Sequence, residues 1–239
     1  MEFEAIVAPT IKEMFVRRIE DMILNGELEI GSKLPSEREL AEQMKISKTA
    51  VHGGITDMVR KGFLEVKPRK GVFVGDYARN GTLETLTSIT THNGGRLDLK
   101  NTRSLLEMRY AIESVAIKKV GDKKGGKIGK ELMAMVAMAK KIAKEPTDYR
   151  ALGELYFRFH HSICIESGNT IAPLIFNAFR IPSIAFWSNS AKALGPEESV
   201  RRLEKFANYI CNGDTDKALE HLKIITETSA EIVREAGLK

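Results

Sequence analysis

The sequence predicts a mostly α protein: an N-terminal winged helix-turn-helix with a two-stranded wing, then a C-terminal antiparallel helical bundle. Three observations predict it. Between Pro35 and Val74, two short amphipathic helix patterns are each preceded by a serine able to cap them, and two apolar runs follow around a Lys67-Pro68-Arg69-Lys70-Gly71 turn. From Thr102 onward the apolar residues recur at helical spacing, interrupted by glycine, proline and asparagine. The charge is also unevenly spread. Seven Lys or Arg stand against two Asp or Glu from Lys45 to Lys70, whereas residues 1–44 are acidic.

Taken in order, Thr10 can cap a helix that runs to Asn25-Gly26, with Ile11, Met14, Phe15, Ile19, Met22 and Ile23 as its apolar face. This helix is expected to support the motif from behind. Gly31, Lys33 and Pro35 mark a loop. Ser36 caps the next helix, Glu37 and Glu39 fill its first turn, and Leu40, Ala41 and Met44 share a face. After a break at Lys45-Ile46, Ser47 caps a second helix to about Lys61, with Val51, Ile55, Met58 and Val59 as its buried stripe. In a helix-turn-helix the second helix enters the DNA major groove. Phe63–Val66 and Val72–Val74 read as the strands of a basic wing. Gly75–Gly81 is polar and turn-prone, without apolar periodicity. The expected domains are therefore 1–75 as the winged helix-turn-helix for DNA binding, 76–82 as linker and 83–239 as an all-helical domain.

The second domain is expected to open with a short helix at Leu83–Ile89 and a loop at Thr90–Gly95. Six helices follow: Leu105–Val120, Ile128–Ala143, Thr147–Glu166, Ile171–Ala193 with a kink or break at Pro182, Pro196–Asn212 and Asp214–Glu235. The stripe of the first reads Leu105, Leu106, Met108, Ala111, Ile112, Val115 and Ala116. Asp122–Gly126, Glu145-Pro146, Ser167-Gly168-Asn169 and Leu194-Gly195-Pro196 are the breaks. The basic run from Lys118 to Lys144, Lys123 and Lys124 included, reads as a solvated face and loop.

The whole chain has 239 residues, 43% of them hydrophobic, and a formal net charge of +5, which is compatible with nucleic acid. No apolar run approaches the ~20 residues that span a bilayer. The acidic start, Met1–Ala5, lacks a signal-peptide core. Cys164 and Cys211, the only cysteines, sit in helical apolar contexts, as reduced core residues of a cytoplasmic protein do. There is no glycine-rich phosphate loop after a strand, no G-x-S-x-G and no metalloprotease spacing, so nothing points to an enzyme.

Four segments in register carry a resemblance: Leu34–Ala41, Ser47–Val51, Gly62–Leu64 and Gly71–Val74. Together they resemble the winged helix-turn-helix of the GntR family of bacterial transcription regulators. Leu106–Glu113, Phe159-His160, Ser167-Gly168-Asn169 and Gly213-Asp214 with Ala218 resemble the C-terminal domain of its FadR subfamily. The resemblance spans about Thr10 to Ile232. It implies a ligand-responsive regulator acting on double-stranded operator DNA as a homodimer, with a small-molecule effector and no membrane. The rival is a small-molecule-binding or enzymatic bundle whose winged helix is vestigial.

The DNA-binding candidates are Arg38, Lys48, Thr49 and His52, with Arg69, Lys70 and Gly71 from the wing. Arg38 can take a phosphate or a guanine edge, or pair with Glu42 one turn away. His52 can read a base or contact phosphate and solvent. His52-Gly53-Gly54 is unusual within a helix, since each glycine costs about 1 kcal/mol relative to alanine. Either the backbone approaches something closely there, or the helix is soft until DNA binds.

The resemblance also implies a bundle site. Many members hold a divalent cation with one Asp and three His. The matching positions here carry Tyr156, His160, Leu203 and Ile225, one ligand of four, so no metal and no cofactor are expected. His161 and His221 fall at other angles, as surface or interface residues. An acyl or carboxylate effector is expected beside Tyr156, His160, Leu203 and Ile225. Arg109 takes its negative charge, or else pairs with Glu113. Trp187 and Asn189 line the same space or are plain core and surface.

Overall fold

The computed structural model describes residues 8–121, 126–144 and 146–237, and the chain divides into two units, residues 1–89 and 90–239. The acidic start, Asp122–Gly125 with its two lysines, and Glu145 lie outside the described residues.

The first unit is built from α1 (Ile11–Leu24), α2 (Glu37–Met44), α3 (Lys48–Arg60), β1 (Leu64–Lys67), β2 (Gly71–Val74), α4 (Tyr77–Asn80) and most of α5 (Leu83–Thr91). Its helix starts follow the sequence. Thr10 with Glu13 and Ser36 with Glu39 form capping boxes, and the Ser47 hydroxyl accepts the Ala50 N–H. Phe15, Ile19 and Ile23 of α1 are buried against Leu40, Val51, Ile55 and Met58. Val16 joins them, whereas Ile11, Met14 and Val59, expected inside, are exposed. A helix in a small unit buries only the arc that faces its neighbours, so part of each apolar pattern stays outside. β1 and β2 pair antiparallel with Leu64 opposite Val74 and Lys67 opposite Gly71, and Lys33 bridges to Phe73.

The stretch read as a linker has structure. Gly75 N–H donates to Phe63 O at 2.8 Å, Tyr77 packs its ring on Phe63, and α4 forms one turn. Beyond it the Thr85 hydroxyl donates to Lys61 O, and Lys61 reaches both Glu20 at 2.8 Å and Ser88 at 3.2 Å. These are tertiary contacts of single polar groups, and a polar sequence gives no periodic signal of them.

The second unit opens with a 3-10 turn (His92–Gly95), where a loop was expected. It continues through α6 (Leu99–Gly121), α7 (Gly126–Ile142), α8 (Tyr149–Glu166), α9 (Ala172–Ala178), α10 (Arg180–Leu194), α11 (Pro196–Asn212) and α12 (Thr215–Glu235). Seven helices thus stand among the described residues where six were expected. The break falls at Phe179, before Pro182. A proline has no N–H to give and its ring displaces the carbonyl four residues back, so it sits in the first turn of a new helix. α8 is the central element, packed against α6, α7, α9 and α10. Gly153 brings it close to α10, where a Cβ would lie 2.6 Å from Ile184 O. No helix among the described residues is long and apolar enough to cross a membrane.

α6 departs most from its expected pattern. Met108, Ala111 and Val115 are exposed, while Arg109 and Glu113 are buried beside Leu105, Leu106, Ala116, Ile117 and Val120. The charged residues occupy the inner face because they neutralise each other there.

Candidate functional site

Two places gather the predicted residues. The first is the outer side of α2 and α3 with the wing. Lys48, Thr49 and His52 occupy the first turns of α3 and are all exposed, on the side away from the buried Val51, Ile55 and Met58. Arg38 is exposed in the first turn of α2, with its Nε 2.9 Å from Glu42 Oε1. The ion-pair alternative is therefore formed, but between exposed partners such a pair is weak and leaves the guanidinium free to exchange. His52 Nδ1 lies 3.0 Å from Glu37 Oε1, which links the two helices across the turn. The second glycine of the pair has a tertiary cause: a Cβ on Gly54 would fall 2.3 Å from Phe15 of α1. The close approach is thus to the supporting helix. At the wing tip Lys70 N–H donates to Lys67 O, with Pro68 and Arg69 between them. Arg69 holds a φ of 62° and Gly71 one of 113°. A positive φ after proline is the type II turn arrangement, and it leaves the Arg69 and Lys70 side chains exposed.

The second place is the centre of the bundle. α6 supplies Arg109 and Glu113, one turn apart, and α8 supplies His160. Arg109 Nε donates to Glu113 Oε1 at 2.5 Å, and His160 Nδ1 lies 2.5 Å from Glu113 Oε2. Arg109 Nη2 is 3.3 Å from His160 Nε2. Burial works against the Glu113 carboxylate, but the Arg109 guanidinium and the hydrogen bonds from His160 and Arg109 outweigh it and hold its carboxyl below the usual range. Burial pushes the His160 imidazole towards its neutral form, and Arg109 adds to that against the pull of Glu113. A neutral ring with its proton on Nδ1 satisfies both contacts, because Nε2 then accepts from the guanidinium. Trp187 closes the group, stacked on the His160 ring at 4.9 Å and lying 4.6 Å beneath the Arg109 guanidinium. Arg109 is only 3% exposed, yet its Nη1 has no hydrogen-bond partner among the described residues.

The other predicted residues lie around this group unequally. Tyr156, one turn before His160, is buried with its hydroxyl 2.9 Å from Ser199 of α11, and burial pushes its pKa up to about 12. Leu203 belongs to the same apolar core, whereas Ile225 of α12 is half-buried. His161 and His221 are half-buried, each with Nε2 3.1 Å from a backbone carbonyl, of Pro173 and Arg202 respectively. Cys164 is fully buried, and its thiol is pushed up by that burial.

These residues do not fit a metal. His160 points one nitrogen at a carboxylate and the other at a guanidinium, which repels a cation, and Tyr156 is engaged by Ser199. Among the described residues no three His, Cys, Asp or Glu side chains group as ligands. The alternative that the i, i+4 spacing offered Arg109, a buried pair with Glu113, is formed, whereas Ser199 carries no local signal that could have placed it here. A cleft of 690 Å³ opens elsewhere in this unit, lined from Gly95–Leu99, α6, α10 and α12, and Asn189 faces it.

The family model for bacterial regulatory proteins of the gntR family matches residues 11–74, and the FCD domain model matches residues 104–227. The HTH-type transcriptional regulator Mce2R of Mycobacterium tuberculosis is 27% identical over 235 residues, 96% of this chain and 95% of the relative. The fatty acid metabolism regulator protein of Shewanella denitrificans is 27% identical over 188 residues, 75% of each chain. Among solved structures, Lar, which controls the expression of the Listeria monocytogenes agr system, superposes with a TM-score of 0.63 at 15% identity. The match covers 96% of this chain and 99% of that one, and it speaks for the fold.

Proposed function

The chain belongs to the GntR family of bacterial regulatory proteins, as a helix-turn-helix transcription regulator with an FCD ligand-binding domain, and from that premise we propose which residues meet DNA and effector. Lys48, Thr49 and His52 face the major groove, Arg38 takes a flanking phosphate or guanine, and Arg69, Lys70 and Gly71 of the wing rest on the backbone. The observation that carries this reading is the exposed start of α3 on a firmly packed helix pair, beside a basic wing. A two-fold operator calls for two copies of the chain. The exposed apolar strip Met108, Ala111 and Val115 on α6 supports a homodimer. The test is binding to a DNA fragment from beside its own gene, followed across salt concentrations. Replacing Arg69 and Lys70 with alanine is expected to weaken binding to all sequences and flatten the log K against log salt slope by about one to two units. An unchanged slope and affinity would take the wing off the DNA.

The effector reading centres on Arg109. Its unpartnered Nη1 is a buried donor, and a buried unpaired donor costs about 1–3 kcal/mol until an acceptor reaches it. A ligand carboxylate or acyl carbonyl supplies that acceptor, and Tyr156, His160, Leu203 and Ile225 are its proposed surroundings. The name of the Shewanella relative supports an acyl compound. Arg109→Lys keeps the charge facing Glu113 and removes the guanidinium fork. Acyl-CoAs and free carboxylates that raise the melting temperature of wild type are expected to lose that effect in this variant. An unchanged shift would remove Arg109 from the effector site.

A further inference from the structure

The cleft at the end of the bundle lies outside the Arg109 group, and its construction is specific. Gly95, at a φ of 81°, is pressed so closely on α10 that a Cβ would meet the Pro182 nitrogen at 3.0 Å. That contact sets the Gly95–Leu99 backbone up as one wall. Small residues, Ala185 of α10 and Ala230 of α12, leave room where larger ones would have filled it, and Leu105 and Phe186 make an apolar floor. The 690 Å³ lies within the roughly 300–1,000 Å³ of small-molecule sites.

Three charged residues face the cleft, and two are committed. Both carboxylate oxygens of Asp98 accept from Asn101, its backbone N–H at 2.7 Å and its side-chain amide at 3.2 Å. Arg234 pairs with Glu231 at 2.7 Å. Arg96 is exposed and makes no ion pair among the described residues. An apolar chamber with one uncommitted cation at its mouth selects a ligand with an apolar body and one anionic end. We propose that the Gly95–Leu99 cleft is a second ligand site, separate from the Arg109 group, which takes a small amphipathic carboxylate through Arg96.

The test uses the full chain and dansyl-labelled undecanoic acid, whose fluorescence rises on entering an apolar site. Saturable binding at one probe per chain is expected, displaced by decanoate and far less by decanol or decylamine. Arg96→Glu, at an exposed position, is expected to weaken the probe about tenfold or more. Ala185→Trp, which fills the chamber, is expected to abolish binding. Absence of saturable binding overturns the proposal, as does equal displacement by all three competitors. So does wild-type affinity in Arg96→Glu, at an exposed position with no ion pair among the described residues. Binding lost in Arg109→Lys but kept in both cleft variants would assign the probe to the bundle centre and overturn it equally.

Discussion

Glu113 is a carboxylate with no exposed surface, held by Arg109 on one oxygen and His160 on the other. Its removal leaves a guanidinium buried without a counter-charge, so Glu113→Gln is expected to destabilise the bundle by about 3–5 kcal/mol in urea unfolding. A loss below 1 kcal/mol would mean that water reaches the group. The same cluster sets an acid response. His160 is depressed below 6.5 in the folded chain, so below that value the unfolded chain binds a proton that the folded one refuses. Stability present above pH 6.5 is therefore lost as pH falls, and the lowered Glu113 carboxyl extends the loss below its ordinary 4.5. Melting temperatures measured from pH 8 to pH 5 are expected to drop for wild type, and to drop less for His160→Gln.

At the scale of the element, α3 carries two adjacent glycines with opposite consequences. Beside Gly54 a methyl group meets the Phe15 ring at 2.3 Å, and that ring is itself buried, so Gly54→Ala is expected to cost about 1–3 kcal/mol. Beside Gly53 the nearest atom is Lys12 Cδ at 3.1 Å, on a flexible stem that can swing aside. Gly53→Ala is then expected to gain about 0.5–1 kcal/mol from the helix preference alone. Equal effects from the two substitutions would show that helix propensity, not packing against α1, governs the segment. The wing offers a similar contrast. Arg69 holds a left-handed backbone conformation that costs a side chain about 1–2 kcal/mol, so Arg69→Gly should raise stability while weakening DNA binding.

For the whole molecule, each unit closes its own apolar cluster, one around Phe15, Met58 and Phe63, the other around α8. Calorimetry of the full chain is expected to resolve two transitions. Glu113→Gln should lower one and Gly54→Ala the other, whereas a common shift in both variants would show a single cooperative unit. Association is tested at the same scale. Met108→Lys with Val115→Lys places charge on the exposed strip of α6, and sedimentation is expected to show dimer for wild type and monomer for the pair.

The sequence by itself determined the starts of α1 to α3, the wing and the helical character of the bundle. Capping serines, Thr10, turn residues and apolar periodicity act over one or two turns of the chain, and Ser36, Ser47 and Lys67–Gly71 all behave as that local chemistry dictates. It also brought Arg109 and Glu113 within reach, since four residues close one helical turn. Tertiary structure alone decided which way that pair faces. Amphipathic reasoning puts charge outside and Met108 and Val115 inside, and the reverse holds because His160 and Trp187, far along the chain, complete a neutral group around the charges. Gly54 against Phe15, Tyr156 against Ser199, and the cleft between Gly95–Leu99 and α12 are likewise distances between segments remote in sequence. No local pattern encodes them, because each depends on where two separately formed helices come to rest.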